Sequence, residues 1–425
     1  MSIRICFYED RQFRQFFPIS YLRPVYAMRA GILPLFRRAE RYFDRPEICL
    51  AARHALAGLI SAEYRDYPVN IIKRQEHQDV LFLNGRLRNY GNIPEALQGA
   101  RLISRLVDRS GQTLGAYFPS QVIADVPGIA TPEQYLDALK LNLEDVVNVD
   151  TDATLYGGCW ELVADLDSEI AADFDFLKSG FVKHDEAKIY SGSYLINPER
   201  IYLGRGVEVL PGSLLDASKG SIFVGDNTRV ESQVAIYGPG FIGPNSQVLA
   251  GKISGSSIGH TCRAGGEIEE SVFQSCVNKY HAGFIGHSYV GSWVNFGALT
   301  TNSDLKNNYS VIKVSVDGKL IDTGSIKVGS FIGDHTKFGI GTLLNTGINI
   351  GVCCNLYGGT LLTDREIPSF RWGDSSPYGT YRFEKAIDTM RRTAGRRNVN
   401  LTKDEEKVLQ ALSEGQVAEA GVFCI

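Results

Sequence analysis

Between Asn278 and Lys306 the chain concentrates side chains that can move a proton or hold an anion. The run is Asn278-Lys-Tyr-His-Ala-Gly-Phe-Ile-Gly-His-Ser-Tyr-Val-Gly-Ser-Trp-Val-Asn-Phe-Gly-Ala298, followed by Asn302 and Lys306. His281 is the candidate general base, because imidazole is the side chain whose ordinary pKa lies nearest neutrality. Lys279 and Lys306 offer compact point charges to a phosphate. Asn295 and Asn302 carry amides that can bind hydroxyls or orient an amine. The turn-region histidines His260, His281, His287 and His335 allow a second chemistry, a metal held by imidazoles from adjacent copies of the chain. That alternative leaves Lys279 and both asparagines without a use.

The elements that must position these residues are repeats. From Phe181 to about Arg371 an aliphatic residue precedes a Gly and a small or polar turn at roughly six-residue intervals. Instances are Ile201-Tyr-Leu-Gly204, Ile222-Phe-Val-Gly225, Phe241-Ile-Gly243, Ser257-Ile-Gly259, Phe284-Ile-Gly286, Tyr289-Val-Gly291, Phe331-Ile-Gly333 and Ile348-Asn-Ile-Gly351. Such periodicity predicts a parallel β-helix whose coils stack aliphatic residues into one continuous core. That core needs no Lys, His or Asn, so their presence at the turns marks a site. The rhythm is interrupted near Asp304 to Lys327, where Lys306-Asn-Asn308 and Asp317-Gly318 predict a protruding loop and a hairpin turn.

Residues 1–178 alternate short apolar runs with helical patterns, which predicts an α/β domain. Strands are expected over 3–8, 48–51, 69–72 and 80–83, and helices over 31–43 and 53–64. Thr131-Pro132-Glu133 sets a capping residue and a Pro at the first helical position, ahead of Tyr135, Leu136, Leu139 and Leu143 at helix spacing. A further helix from Trp160 to about Ser179 delivers the chain to the repeats, which occupy 179–376. Residues 377–425 read as a helical tail whose second helix opens at Thr402, with Glu405 three residues on.

With 425 residues, 44% hydrophobic and 22% charged, the chain is long enough for two domains with separate cores. A formal charge of −4 gives no broad basic footprint, which argues against a nucleic-acid partner. No apolar run reaches the length of a membrane span. The eight cysteines show no CxxC spacing and read as free thiols in a reducing cytoplasm, the vicinal pair Cys353 and Cys354 included.

The run from Lys279 to Asn302 resembles the acetyltransferase domain of the bifunctional uridylyltransferase and glucosamine-1-phosphate acetyltransferase. That domain's motif of Lys, His, an aromatic, Gly-Asp and Asn-aliphatic-Gly-Ala falls here on Lys279, His281, Phe284, Gly286-His287 and Asn295-Phe-Gly-Ala298. The whole chain resembles a bacterial family of sugar nucleotidyltransferases related to that enzyme but with an altered N-terminal domain. The residues that carry this are Phe17-Pro-Ile-Ser-Tyr-Leu-Arg-Pro24, Leu83-Asn-Gly-Arg86, Asn302-Ser-Asp-Leu-Lys-Asn307, Phe331-Ile-Gly-Asp-His335 and Pro368-Ser-Phe-Arg-Trp-Gly373. The resemblance implies a left-handed β-helix, a homotrimer, and acetyl transfer from acetyl-CoA to an amino-sugar phosphate. In that chemistry His281 takes the amine proton. Lys279 and Lys306 hold phosphate, and Asn295 and Asn302 bind the sugar. Ala298, Arg365 and Arg371 contact acetyl-CoA, with Arg391, Arg392, Arg396 and Arg397 as further candidates for its nucleotide phosphates. Phe284 stands where the motif has Tyr, so the acceptor differs from the familiar one by at least one missing hydroxyl contact.

The first domain departs further from the resemblance. Nucleotidyltransferases open with a Gly-rich loop whose amides hold phosphates, and a later Asp binds the metal. This chain has Cys6-Phe-Tyr-Glu-Asp10 in the first place and Leu83-Asn-Gly-Arg86 in the second, an Arg where a cation ligand is expected. Asp10 as a metal ligand, with Arg23 and Arg29 on phosphates, would be the substitutes, and Mg2+ is needed only if this domain transfers nucleotides. Three alternatives therefore stay open beside acetyl transfer. They are nucleotidyl transfer through an unconventional site, a non-catalytic regulatory or scaffolding trimer, and a carbonic anhydrase-like metal β-helix.

Overall fold

The computed structural model describes residues 2–72, 78–123, 126–127, 131–140, 146–180 and 186–416. The first domain is built on a six-stranded mixed sheet in the order Glu47–Leu50, Ser2–Tyr8, Gln78–Asn84, Thr113–Phe118, Ser104–Val107, Val147–Asp150. Strand Ser2–Tyr8 runs parallel to both neighbours, and Gln78–Asn84 is antiparallel to Thr113–Phe118. Gln78–Asn84 is buried along its whole length, as befits a strand covered on both faces. The strand expected over 69–72 shrinks to Ile71–Ile72.

Residues 31–43 differ from the expected α-helix. They hold a 3-10 helix, Leu35–Arg41, entered through Pro34, whose missing N–H and effect on the preceding residue keep the chain extended up to that point. The segment 53–64 divides into a 3-10 turn, His54–Leu56, and an α-helix, Ala57–Glu63. Thr131 Oγ1 accepts from Gln134 N at 3.3 Å and opens helix Pro132–Ala138; Leu143 lies outside the described residues. Two helices, Cys159–Ala164 and Leu166–Leu177, lead toward the repeats.

From Lys188 to Gly373 the chain winds into a parallel β-helix. One face is a nine-stranded sheet running from Ile201–Leu203 through Ile222–Val224, Gly240–Ile242, Ser257–Ile258, Val272–Phe273, Tyr289–Val290, Phe331–Ile332 and Asn349–Ile350 to Glu366–Ile367. All the aliphatic-Gly motifs fall on this face except Phe284-Ile-Gly286, which lies on another. Their glycines are dictated by the stacking distance. A Cβ on Gly259 would stand 1.7 Å from Gln274 O, and one on Gly351 would stand 2.3 Å from Ser369 N. Ile222, Val224, Ile258, Phe273, Val290, Ile332 and Ile350 point inward and are fully buried.

Strand alternation turns the next residues outward, and the first domain packs on them. Phe241, Val272, Tyr289 and Phe331 share a core with Phe13, Phe16, Ile19, Val25, Met28 and Trp160. Polar pairs fix the register. Arg23 donates to both Asp334 oxygens at 3.0 and 2.5 Å and to Ser292 Oγ at 3.2 Å. Tyr289 donates its hydroxyl to Arg29 O and accepts from Arg29 N, both at 2.8 Å. The expected interruption is a hairpin, Lys313–Val316 with Lys319–Asp322, turning at Asp317 and Gly318 with φ of 52° and 72°. Arg14 reaches this turn and pairs with Asp317 at 2.8 Å.

The tail forms helices Phe383–Gly395 and Lys403–Ser413, the second capped where Thr402 Oγ1 accepts from Glu405 N at 3.1 Å. Ala386, Ile387, Met390, Val408 and Leu409 complete a core shared by the first domain and by Val352 and Phe370 of the β-helix. The tail thus ties the two together. Among the described residues no helix is long and apolar enough to cross a membrane.

Candidate active site

His281 lies at a corner of the β-helix, between strand Asn278–Lys279 on one face and strand Phe284–Gly286 on the next. It is exposed, and its ring centroid is 5.1 Å from that of Tyr280. Tyr280 in turn lies 6.0 Å below the guanidinium of Arg263, which stands one coil earlier. Arg263 is in register with Asn278, and Asn278 with Asn295, so the three form an outward column beside the imidazole. Asn278 Nδ2 donates to Asn295 Oδ1 at 2.7 Å. An accessible imidazole next to a cation and an amide column can accept a proton from a nucleophile while an anionic group is held nearby.

Lys279 and Asn302 sit differently from the expectation that they contact substrate. Lys279 occupies an inward position, in register with Ala264, and is only 1% exposed. Its Nζ donates to Gly265 O at 2.9 Å and His281 O at 2.7 Å, and burial lowers its pKa to about 8. The lysine therefore holds the turn on which His281 stands. Asn302 is buried as well: its Oδ1 accepts from Gly286 N at 2.8 Å and its Nδ2 donates to Gly286 O at 3.0 Å. Strand alternation explains both, since each falls on an inward slot of its coil. Lys306 lies in the protruding loop and donates to Val311 O at 3.0 Å. Ala298 accepts from Gly341 N at 2.8 Å in the next coil. Arg365 and Arg371 fall near the end of the β-helix, several coils beyond His281.

Within one chain the four histidines do not converge. His281 and His287 bracket the single strand Phe284–Gly286. His287 is clamped by Asp304 at 2.7 Å and Glu270 at 2.9 Å. Burial opposes its charge, but the two carboxylates outweigh it and raise its pKa to about 9. His335 pairs with Glu405 at 3.0 Å, and His260 lies 3.1 Å from Thr261 Oγ1. Among the described residues no three His, Cys, Asp or Glu side chains form a cluster able to hold a metal.

In the first domain, Asp10, Arg23 and Arg29 are not brought together. Asp10 receives Arg86 through Nε at 3.0 Å and Nη2 at 2.5 Å, and Asn84 Nδ2 at 2.8 Å. The Arg that replaces the metal ligand thus neutralises the nearby acid, and this arrangement does not fit a divalent cation. Arg23 is buried on Asp334. Arg29 donates to Ile32 O at 2.6 Å and lies 5.2 Å above the Phe241 ring. Both arginines serve domain docking.

Arg263, Tyr280 and Asn278 were not singled out from sequence. The signal was present: one coil spans 15 residues between Arg263 and Asn278 and 17 between Asn278 and Asn295, so stacking the coils in register would have aligned them.

Residues 5–181 match the family described as sugar nucleotidyl transferase. A bifunctional sugar-1-phosphate nucleotidylyltransferase/acetyltransferase of Sulfurisphaera tokodaii is 35% identical over 96 residues, 23% of this chain and 24% of that protein. An uncharacterized acetyltransferase, YaiX, of Escherichia coli is 26% identical over 169 residues, 39% of this chain and 73% of that protein. The chain spans about a quarter of the length of the first curated relatives it matches. The UDP-N-acetylglucosamine acyltransferase structure of Francisella novicida aligns with 57% of this chain and 87% of its own at 12% identity, with a TM-score of 0.23, too low to carry an argument. The first domain is thus similar to sugar nucleotidyl transferases, and the chain shares a segment with a protein named for both nucleotidyl and acetyl transfer.

Proposed function

We propose that the protein is a transferase of amino-sugar phosphate metabolism, in which the β-helix transfers an acetyl group from acetyl-CoA to a sugar amine and His281 is the general base. The observation that carries the reading is the exposed imidazole of His281 at a coil corner, beside Tyr280, which Arg263 overlies, and seated on a turn held by Lys279. As the amine nitrogen attacks the thioester carbonyl, His281 takes its proton; the tetrahedral adduct then collapses and CoA thiolate leaves. Coil-turn amides supply donors for the oxyanion. Arg263 and Asn295 bind and orient the acceptor, taking the place first expected for Lys279 and Asn302.

The protein acts as a homotrimer in this reading. The first domain covers the nine-stranded face, but an apolar stripe on the far side is left exposed among the described residues. Leu299 follows Ala282 in the next coil, and Leu299, Ile340, Leu343, Tyr357 and Leu361 are 40–73% exposed. This stripe begins beside His281, so a second copy seated on it would make the site a groove between subunits. The first domain is a divergent nucleotidyltransferase fold that docks and supports the β-helix, its Asp10 being engaged by Arg86. Domains 1–178, 179–376 and 377–425 are the functional units, and the substrates place the protein in the cytoplasm.

The test is to supply full-length protein with acetyl-CoA and a panel of amino-sugar phosphates starting with glucosamine-1-phosphate, and to follow free CoA. A nucleoside triphosphate and pyrophosphate assay runs in parallel. CoA release without pyrophosphate supports the proposal, pyrophosphate release overturns the assignment of the first domain, and neither product across the panel overturns the acetyl-transfer reading.

A further inference from the structure

The end of the first tail helix and the β-helix border a cavity that brings Arg396 and Arg397, two of the residues expected to serve a nucleotide phosphate, against Arg263. It holds about 140 Å³ and is lined by Arg263, Cys276, Asn278, Trp293 and Asn295 on one side and Thr393, Arg396 and Arg397 on the other. A cavity of about 150 Å³ takes in a benzene-sized molecule, so this space has room for a phosphate group. Three guanidinium groups border it, and among the described residues no carboxylate pairs with any of them. Arg397 donates to Thr261 O at 3.2 Å, and burial together with Arg263 and Arg396 holds its pKa below the ordinary arginine value. Like charges crowded around an enclosed space destabilise one another until an anion enters.

The C-terminus of a helix favours cations, and this accounts for Arg396 and Arg397. It does not account for Arg263, which comes from the β-helix across the cavity.

We propose that this cavity is a phosphate-binding site, built jointly by the tail helix and the β-helix, for a phosphate monoester. Arginines supply planar forks that match phosphate oxygens. Arg263 belongs both to the cavity and, through Tyr280, to the His281 corner, so a ligand anchored here extends toward the base. The cavity shares Arg263 and Asn295 with the acceptor site proposed above and rests on that reading for its ligand; phosphate binding without CoA release would keep the cavity and overturn only the acetyl-transfer step. The phosphate could belong to the acceptor sugar or to the ribose end of CoA, and the two sources share this chemistry.

Calorimetry on the full-length protein tests it, with inorganic phosphate, glucosamine-1-phosphate and adenosine 3′,5′-bisphosphate as probes. The expected result is saturable binding of at least one probe, weakened at least tenfold in R263Q and in R397Q; the tighter of the two organic probes identifies the source. Because loss of an arginine can disturb the tail, Thr393→Glu serves as a second variant. It keeps every arginine, places a carboxylate at the cavity wall, and should abolish binding while leaving the melting temperature unchanged or higher. Absence of binding for all three probes at millimolar concentration, or equal affinity in wild type and all three variants, overturns the proposal.

Discussion

Replacing Arg23 with Ala separates a docking role from a ligand-binding one. Its guanidinium and the Asp334 carboxylate are 8% and 2% exposed, so truncation would leave a buried carboxylate without its cation. Asp334 would keep its bond from Ser292 N at 2.7 Å but lose both contacts to arginine. Removing one partner of a buried pair costs about 3–5 kcal/mol, a large share of the roughly 5–15 kcal/mol that holds an ordinary domain folded. The assay is equilibrium urea unfolding of wild type, Arg23→Ala, Asp334→Ala and the double variant. The pair predicts that either single change destabilises by several kcal/mol and that the double variant is little worse than the singles, giving a coupling above about 1 kcal/mol. Losses below about 1 kcal/mol that simply add would refute the buried pair, and Arg23 would again be available to a phosphate.

His287 gives a pH signature. Its folded pKa of about 9 exceeds the unfolded value near 6.5, so its contribution is complete below about pH 6.5 and is lost as pH rises through 9. The full contribution is at most about 3 kcal/mol at roughly 1.4 kcal/mol per unit. Urea midpoints should therefore fall between pH 6.5 and 9.5 in wild type but stay flatter in His287→Gln; parallel profiles would contradict the clamp. Ile340→Glu, at a position 73% exposed, should leave the fold intact and convert trimer to monomer by light scattering; an unchanged mass would move the subunit interface elsewhere. Lys279→Met should lower kcat through loss of its bond to His281 O while KM for the sugar phosphate holds; a raised KM at constant kcat would return Lys279 to the substrate.

The β-helix was legible because its period is enforced by geometry. A Gly whose added Cβ would stand 1.7 Å from the next coil cannot be replaced without a shift, and the inward aliphatic column recurs wherever a coil does. The hairpin at Asp317-Gly318 and the cap at Thr402 were readable for the same local reason. Lys279 and Asn302 were harder, because a polar residue in an inward slot looks like a site residue until the strand register is known. Arg23 and Arg29 looked like phosphate ligands, since nothing in the sequence says that Asp334 and Tyr289, about 300 and 260 residues away, lie against them. The Arg263 column was hidden by unequal coil lengths. The unconventional acid-to-Arg exchange at Arg86 was visible, but its consequence, the neutralised Asp10, needed three dimensions.

The most direct test of the central claim is CoA release by wild type and His281→Ala at saturating acetyl-CoA and amino-sugar phosphate, with circular dichroism and light scattering to confirm that fold and assembly are kept. His281 is exposed, and it is its backbone carbonyl that accepts from Lys279 Nζ, so the substitution should not disturb the coil. General-base catalysis predicts a fall of about 10²–10⁴ in turnover with assembly unchanged; turnover equal to wild type in an intact His281→Ala protein would remove His281 from the reaction.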